Sequence, residues 1–352
     1  MKIYNYFFLI AIVLLTACGE DANNDPLDFT SGKIWMGVGE RVGQIDRIVQ
    51  YDYVENSDNH ATINMPSNVY GTLKTVDDRY NEAVILSSDA SGSSGDNAKV
   101  IFMSLTDGKE SEVAKFPMTI YPDRVYSMQY FPNYNKTYLV TNHGSDKKMK
   151  LFSLDRKDLD TIQDNSGFAL EAISDELAEL LDANSLFLGA NFNEEKLLVC
   201  DTLTNELYEY SLRKKNLDAI GSARKEVNSS TSLTFSSKVG AYVGAEVSVS
   251  YAPDSSIADM KLKYVSINRE NGSYTNRAVL NMSKKDYNLN YDDSKLSKIH
   301  TLVDEQAGKL LVVLPRFDNS SQIVTIDLAA GTLVDRNIYN FAVSGIARVK
   351  NR

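Results

Sequence analysis

Apolar residues along this chain come in short runs separated by polar turn formers, and only one stretch carries them at helical spacing. Six runs set apolar and β-branched residues around a Ser, Thr or Asp, at 47–53, 99–105, 150–154, 207–212, 263–267 and 323–326. Most are followed closely by turn residues: Asp107-Gly108, Asp158, Asn216, Asn271-Gly272 and Gly331. Upstream of each lies another apolar run with its own polar entry, at 32–36, 81–86, 135–140, 195–199, 238–243 and 308–313. Short runs bounded by Gly, Asn and Asp predict strand, tight turn, strand. The unit recurs about every 50 to 60 residues, which leaves room for four strands and predicts an all-β fold of the β-propeller class.

A propeller ring must join its last blade to its first, or free sheet edges remain. No strand precedes Gly32 to serve as the innermost one of the first repeat, whereas the last repeat runs past its fourth strand (333–339) into an extra apolar run at 341–349. That run is expected to complete the first blade, giving six four-stranded blades closed by the C-terminal strand, with seven blades as the second choice. In such a blade the connections between its second and third strands, and those between blades, emerge on one face. The long segments fall there: 87–97, 116–124, 142–148, 165–184, 247–259 and 282–297. Within them, 170–181 carries apolar residues at helical spacing and predicts a short amphipathic helix over the ring.

Binding groups concentrate on loops held by a rigid scaffold. The candidate ligand-binding residues on that face are therefore Tyr121, Arg124, His143, Lys147, Lys148, Tyr251, Tyr287, Tyr291 and Arg316, with Asp254, Asp292, Asp293 and Asp318 nearby in sequence. Tyr and Arg offer large contact area and directional donors.

Charge narrows the partners. The 37 Lys and Arg are scattered singly and outnumbered by 47 Asp and Glu, which excludes a phosphate-tracking surface and with it nucleic acid. The three histidines, His60, His143 and His300, stand in no metal-ligand spacing, and no nucleophile elbow, phosphate loop or dinucleotide fingerprint is present. No catalytic set, metal or cofactor is implied. Carboxylates could pair across a central channel for hydrolase or lyase chemistry, with Asp46, Asp254, Asp292 and Asp293 available.

The N-terminus is of another kind. Met1 and Lys2 precede an apolar run at 3–15 that is too short to span a bilayer and reads as a signal h-region. Leu15-Thr16-Ala17-Cys18 resembles the lipobox of bacterial lipoproteins. The resemblance implies cleavage after residue 17 and lipidation of Cys18 by a diacylglycerol and a further acyl chain such as palmitate, enough for stable anchoring. Residues 18–30 read as an acidic disordered tether and 31–352 as the propeller domain. Cys200 is then left without a disulfide partner, and its apolar run predicts a buried thiol.

Glu20 and Asp21 behind the cysteine resemble the surface-export signal of Bacteroidota lipoproteins, and Asp160-Thr161-Ile162 and Asp201-Thr202-Leu203 resemble the O-glycosylation triplet of that phylum. Lipobox plus propeller is similar to the Bacteroidota outer-membrane lipoproteins associated with TonB-dependent uptake, some of which capture ferric siderophores. The resemblance implies a lipid-anchored outer-membrane protein at the cell surface, with the periplasmic face as the alternative. Its partners would be the membrane, an outer-membrane transporter or another envelope protein, and a small-molecule or glycan ligand. A protein-interaction scaffold, with Leu177, Leu180 and Leu181 of the predicted helix as anchors, and a propeller hydrolase or lyase are the competing functions.

Overall fold

The computed structural model describes residues 33–52, 62–77, 80–87, 99–115, 125–131, 134, 136–143, 148–155, 169–182, 185–201, 203–222, 233–254, 257–287 and 299–348. Cys18, the signal, the tether, Tyr121, Arg124, Lys147 and Tyr291 lie outside them. Strand dominates the described chain. The first blade takes β1 (Lys33–Gly39), β2 (Gln44–Asp52) and β3 (Thr62–Tyr70); the second β4 (Thr72–Asp77), β5 (Glu82–Ser87), β6 (Lys99–Ser104) and β7 (Glu110–Lys115). The third has β8 (Val125–Phe131), β9 (Lys136–His143), β10 (Lys148–Asp155) and the two-residue β11 (Ala169–Leu170), followed by helix α1 (Asp175–Asp182). Blade 4 comprises β12 (Ser185–Asn191), β13 (Lys196–Asp201), β14 (Glu206–Ser211) and β15 (Asn216–Ser222). Blade 5 comprises β16 (Leu233–Ser236), β17 (Ala241–Tyr251), β18 (Ile257–Asn268) and β19 (Tyr274–Asn281). Blade 6 comprises β20 (His300–Asp304), β21 (Lys309–Pro315), β22 (Ser321–Asp327) and β23 (Leu333–Tyr339), and the last strand is β24 (Ala342–Ala347).

Each blade is an antiparallel meander, and blade 1 is ordered β24-β1-β2-β3. The C-terminal strand thus forms the first strand of the first blade, through Trp35↔Ala347, Met36↔Ile346, Val38↔Val343 and Gly39↔Ala342. Blades 4 and 5 share one eight-stranded sheet because their first strands run parallel at Gly189↔Leu233 and Ala190↔Thr234. Among the described residues the first strands touch in a closed circuit, β24 to β4, β8, β12, β16, β20 and back to β24. This is a β-propeller, and these six strands line its axis.

The apolar residues that alternate along the strands meet between blades, not within one central core. Ile45, Leu73, Ile85 and Met103 join blades 1 and 2. Val243, Leu262, Leu310 and Ile326 join blades 5 and 6, and Ile34, Met36, Leu311, Ile323 and Val343 close blade 6 onto blade 1. Helix α1 lies against the junction of blades 3 and 4. Ser174 caps it, its Oγ accepting from Leu177 N at 3.3 Å, and Leu177, Leu180 and Leu181 pack with Phe131, Tyr138, Leu197 and Tyr210. The helix is where the 3.6-residue period placed it, but its leucines are core residues. They are not free to anchor a partner as the scaffold reading required.

The face formed by connections between first and second strands, and between third and fourth, is built from one repeated device. Asn81, Glu195, Gly240 and Gly308 enter the second strands with positive φ, and Gly108, Lys215, Gly272 and Gly331 do the same in the turn after the third. The carbonyls of Asn81, Glu195, Gly240 and Gly308 accept from Leu105, Leu212, Arg269 and Leu328 N at 2.8, 3.0, 3.3 and 3.0 Å, so the two turns of a blade are stitched together.

Candidate functional site

The other face, called here the connection face, repeats its turns only in part: Gly43, Asn205 and Asn319 precede the third strands of blades 1, 4 and 6 with positive φ. It carries the long connections, and its described segments differ from blade to blade. Residues 247–259, expected as a loop insertion, are mostly an extension of the β17–β18 hairpin, whose pairing continues to Tyr251↔Ile257. Residues 165–184 are split by β11: only the part after Leu170, with the helix, belongs to this face.

Four large apolar side chains stand out on this face at the ends of different blades. Tyr70 (55 % exposed) ends β3, Leu203 (68 %) tips the β13–β14 turn, Tyr251 (62 %) ends β17 and Phe317 (54 %) tips the β21–β22 loop. Among the described residues the repeated-turn face exposes Tyr80 (38 %) in a tight turn and Leu333 (39 %) at the start of β23. Of the residues expected at a ligand site, Tyr251 is thus presented to solvent. Phe317, Leu203 and Tyr70 were missed because single apolar residues in a turn carry no pattern; their signal was a large side chain where turn chemistry favours Gly, Asn or Asp.

Tyr287 and Arg316 are brought together but not presented as expected. The connection leaving blade 5 straps onto the β21–β22 loop through a backbone bridge between these two residues and a 3.2 Å bond from Phe317 N to Asp286 O. Tyr287 is buried, its hydroxyl donates to Gln322 Oε1, and burial raises its pKa. The Arg316 guanidinium lies 5.7 Å from the Tyr287 ring centroid, and its Nε is 3.8 Å from Asp318 Oδ1. This pair buttresses the loop that exposes Phe317. His143 and Lys148 are cross-strand partners at the connection-face end of the β9–β10 hairpin.

The acids offered for catalysis do not assemble among the described residues. Asp46 pairs with Arg47 at 3.1 Å, Asp254 is exposed at the blade 5 hairpin, and Asp292 and Asp293 lie outside the described residues. Among the described residues no group of three His, Cys, Asp or Glu converges as a metal site. Cys200 is buried, and burial followed by the nearby Asp201 charge pushes its thiol up to about 11, far from thiolate reactivity. Asp201 itself caps the β13–β14 turn, Oδ1 accepting from Leu203 N at 2.8 Å and Oδ2 from Thr204 Oγ1 at 2.9 Å. The second glycosylation-like triplet therefore begins with a residue that the turn requires.

One pair of polar residues near the ring axis was not anticipated. Lys74 sits in β4, where the pairing with β5 shifts between Leu73 and Thr75 and leaves Lys74 as the extra residue of a bulge. His300 opens β20. Both are partly accessible, yet burial lowers the Lys74 amine to about 8, and burial followed by the Lys74 charge lowers His300 to about 3. The sequence signal was a lysine inside Leu73-Lys74-Thr75-Val76, where alternation alone does not call for a charge.

The fold and this face define a β-propeller with one regular and one elaborated surface. No family model matches the sequence, and no curated protein does. Among solved structures, a chain named as TolB from Agrobacterium tumefaciens is similar over 83 % of this chain and 90 % of its own, at 9 % identity and TM-score 0.49. A chain named as a 6-phosphogluconolactonase from Bacteroides uniformis covers 91 % and 100 % at 11 % identity and TM-score 0.47. Regucalcin, a calcium-binding protein from Agrobacterium tumefaciens, covers 92 % and 98 % at 11 % identity and TM-score 0.42. Likenesses at these scores carry no chemistry, and the propeller assignment rests on the strand pairing above. Among the described residues no helix is long and apolar enough to cross a membrane.

Proposed function

We propose that this protein is a lipid-anchored envelope β-propeller that binds its ligand without turnover on the connection face, as the companion of an outer-membrane uptake system. The observation that carries the reading is the set of exposed Tyr70, Leu203, Tyr251 and Phe317 at the connection-face ends of four blades, opposite a face of stitched turns. Large side chains held on a rigid frame are what binding surfaces use as anchors. The Leu15-Thr16-Ala17-Cys18 motif supplies the anchor. The propeller ring that β24 closes supplies the frame.

The ligand class that suits exposed tyrosine and phenylalanine is one with a flat or aromatic surface, such as a ferric catecholate siderophore or a glycan ring. The test uses the mature lipoprotein in detergent, titrated calorimetrically against ferric catecholates and oligosaccharides. Tyr251→Ala and Phe317→Ala should each weaken a binding ligand about tenfold, the cost of losing one anchor. Binding that neither variant changes would place the site elsewhere. In a Gram-negative host, palmitate incorporation that survives Cys18→Ala would overturn the anchor.

A further inference from the structure

Three of the nine large apolar side chains exposed among the described residues, Leu333, Val334 and Ile338, stand on the single strand β23. β23 is the outermost strand of blade 6, so its outer edge is open among the described residues. Cross-strand partners point to the same side of a sheet, and the register therefore fixes which way each side chain faces. Leu333 and Arg336 pair with Ile326 and Val324, which belong to the core between blades 5 and 6, and Ile338 follows Arg336 by one alternation. All three face blade 5. On the other wall, Arg277 and Leu280 of β19 pair with Tyr264 and Leu262 of the same core and so face blade 6. The two outer strands are thus the walls of a groove that opens on the rim of the ring. Its repeated-turn end is shut by the bond from Arg277 Nη1 to Ala330 O at 2.6 Å and by Tyr264, whose hydroxyl donates to Leu328 O at 2.7 Å. Arg277 and Arg336 are exposed and have no carboxylate at ion-pair distance among the described residues, whereas Arg47, Arg269, Arg316 and Arg348 each do. Asp335 is turned to the far side of β23, where it accepts from Arg336 N at 2.7 Å and Asn337 Nδ2 at 2.9 Å.

Exposed apolar side chains set between guanidinium groups match the boundary of an anionic bilayer, where phosphates meet acyl chains. The chain places that surface within reach. Residues 18–32 span at most about 50 Å when extended, and they lead into β1 of blade 1, which shares a core with blade 6. We propose that the rim groove between β19 and β23 docks on the anionic lipid surface to which Cys18 anchors the chain. Arg277 and Arg336 take lipid phosphates, and Leu333, Val334 and Ile338 enter the acyl boundary. The inference rests on the lipid-anchor reading, because the tether makes the contact intramolecular and lets a local patch act although the whole chain carries a net charge of -10. Contact through the rim keeps the connection face clear of the lipid.

The experiment couples the unlipidated chain beginning at Cys18, through that thiol, to a maleimide phospholipid in vesicles of phosphatidylethanolamine and phosphatidylglycerol in equal parts; Cys200 is buried and does not compete. The tether is then present whether or not a cell lipidates Cys18. Failure of the anchor reading, judged by palmitate incorporation, and failure of the rim contact therefore give different results. Ile338→Trp puts a reporter in the groove above the constant signal of the buried Trp35, and its emission should shift to the blue and be quenched by a spin label just below the lipid headgroup. Ala169→Trp, on the exposed strand β11 of blade 3 across the ring, should show neither effect. Adding Arg277→Gln and Arg336→Gln to Ile338→Trp should lower the docked population about tenfold, as expected for two basic residues at an anionic surface. A second measurement needs no variant: amide hydrogen exchange across 333–339 should slow about fivefold on coupling to the vesicles, while that of β7 in blade 2 stays unchanged. Equal quenching at the two reporters, or exchange in β23 that coupling does not alter, overturns the proposal. So does a blue shift of Ile338→Trp that grows with protein concentration in the absence of vesicles, which would give the groove to a second copy of the chain.

Discussion

Glu209 offers the sharpest test of how the blades are held. It lies in β14, with its side chain only 3 % exposed, and it accepts from three donors: Tyr242 Oη of blade 5 at 2.7 Å, Lys196 Nζ at 2.8 Å and Arg269 Nη2 at 2.9 Å. Arg269 also lies over the Phe235 ring, 4.9 Å from its centroid. Glu209→Ala leaves the Tyr242 phenol without its acceptor and takes the buried carboxylate from Lys196 and Arg269, which keep the exposed Glu194, and breaking a buried pair from one side costs up to about 3–5 kcal/mol. Glu194 is the internal control. It binds the same Arg269, and that arginine pulls its carboxyl down to about 2, but its side chain is 41 % exposed. Exposed pairs contribute about 0–1 kcal/mol, so Glu194→Ala should be nearly silent. Urea unfolding of both variants at pH 7, read as midpoint shifts at constant slope, separates them. A loss under about 1 kcal/mol for Glu209→Ala, or equal losses for the two, would refute the claim that burial and not ion-pair geometry sets the strength of this junction.

Three further outcomes are expected. Leu177→Ala, which opens a void beneath α1 at a fully buried position, should cost about 2–5 kcal/mol in the same urea assay, whereas Glu179→Ala on the solvent side of the helix should change little. Gly345→Ala combines a positive φ with a backbone clash at Leu73 and should fail to accumulate as folded protein; a soluble variant with wild-type melting would show that β24 can move away from β4. His300 is held neutral in the fold, with its pKa lowered to about 3, while the unfolded chain takes up the proton below its ordinary value of 6.5. Its contribution is therefore complete above 6.5 and is lost as pH falls toward 3, at about 1.4 kcal/mol per pH unit. Wild type should lose stability faster than His300→Gln between pH 6 and 4, and parallel curves would contradict the assignment.

The second and third strands of each blade were legible because they alternate around apolar runs and are bracketed by Asn, Asp and Gly that the turns need; Asn81, Gly108, Gly272 and Gly331 all adopt the left-handed conformation there. Closure was legible too, since a surplus strand at the C-terminus matched a missing one at the start, and β24 pairs with β1 as that reasoning required. First and fourth strands were harder: β11 has two residues and β16 four, too few for a period to show. The candidate site was legible as a face, and only partly as residues. Tyr287 and Phe317 exchanged the roles their residue types suggest, because a backbone bridge turned the tyrosine inward. Lys74 was legible only as a charge in an apolar run, since nothing in the sequence places a bulge on it.

The placement of partnered polar groups argues for which face works. Four junctions are braced on the repeated-turn side by hydrogen bonds: Tyr130 to Asp77 at 3.0 Å, Tyr138 to Glu195 at 2.7 Å, Tyr242 to Glu209 at 2.7 Å and Tyr264 to Leu328 O at 2.7 Å. These bonds join neighbouring blades and satisfy buried groups that would otherwise cost stability. On the connection side Val343 N donates to Ser321 Oγ at 2.9 Å across the junction of blades 6 and 1, and large apolar side chains are left in water beside it. The exposed tips at Tyr251 and Phe317 lie on the connection face, opposite those braced junctions, so loss of binding in Tyr251→Ala and Phe317→Ala, with the fold intact, would locate the proposed ligand on that face.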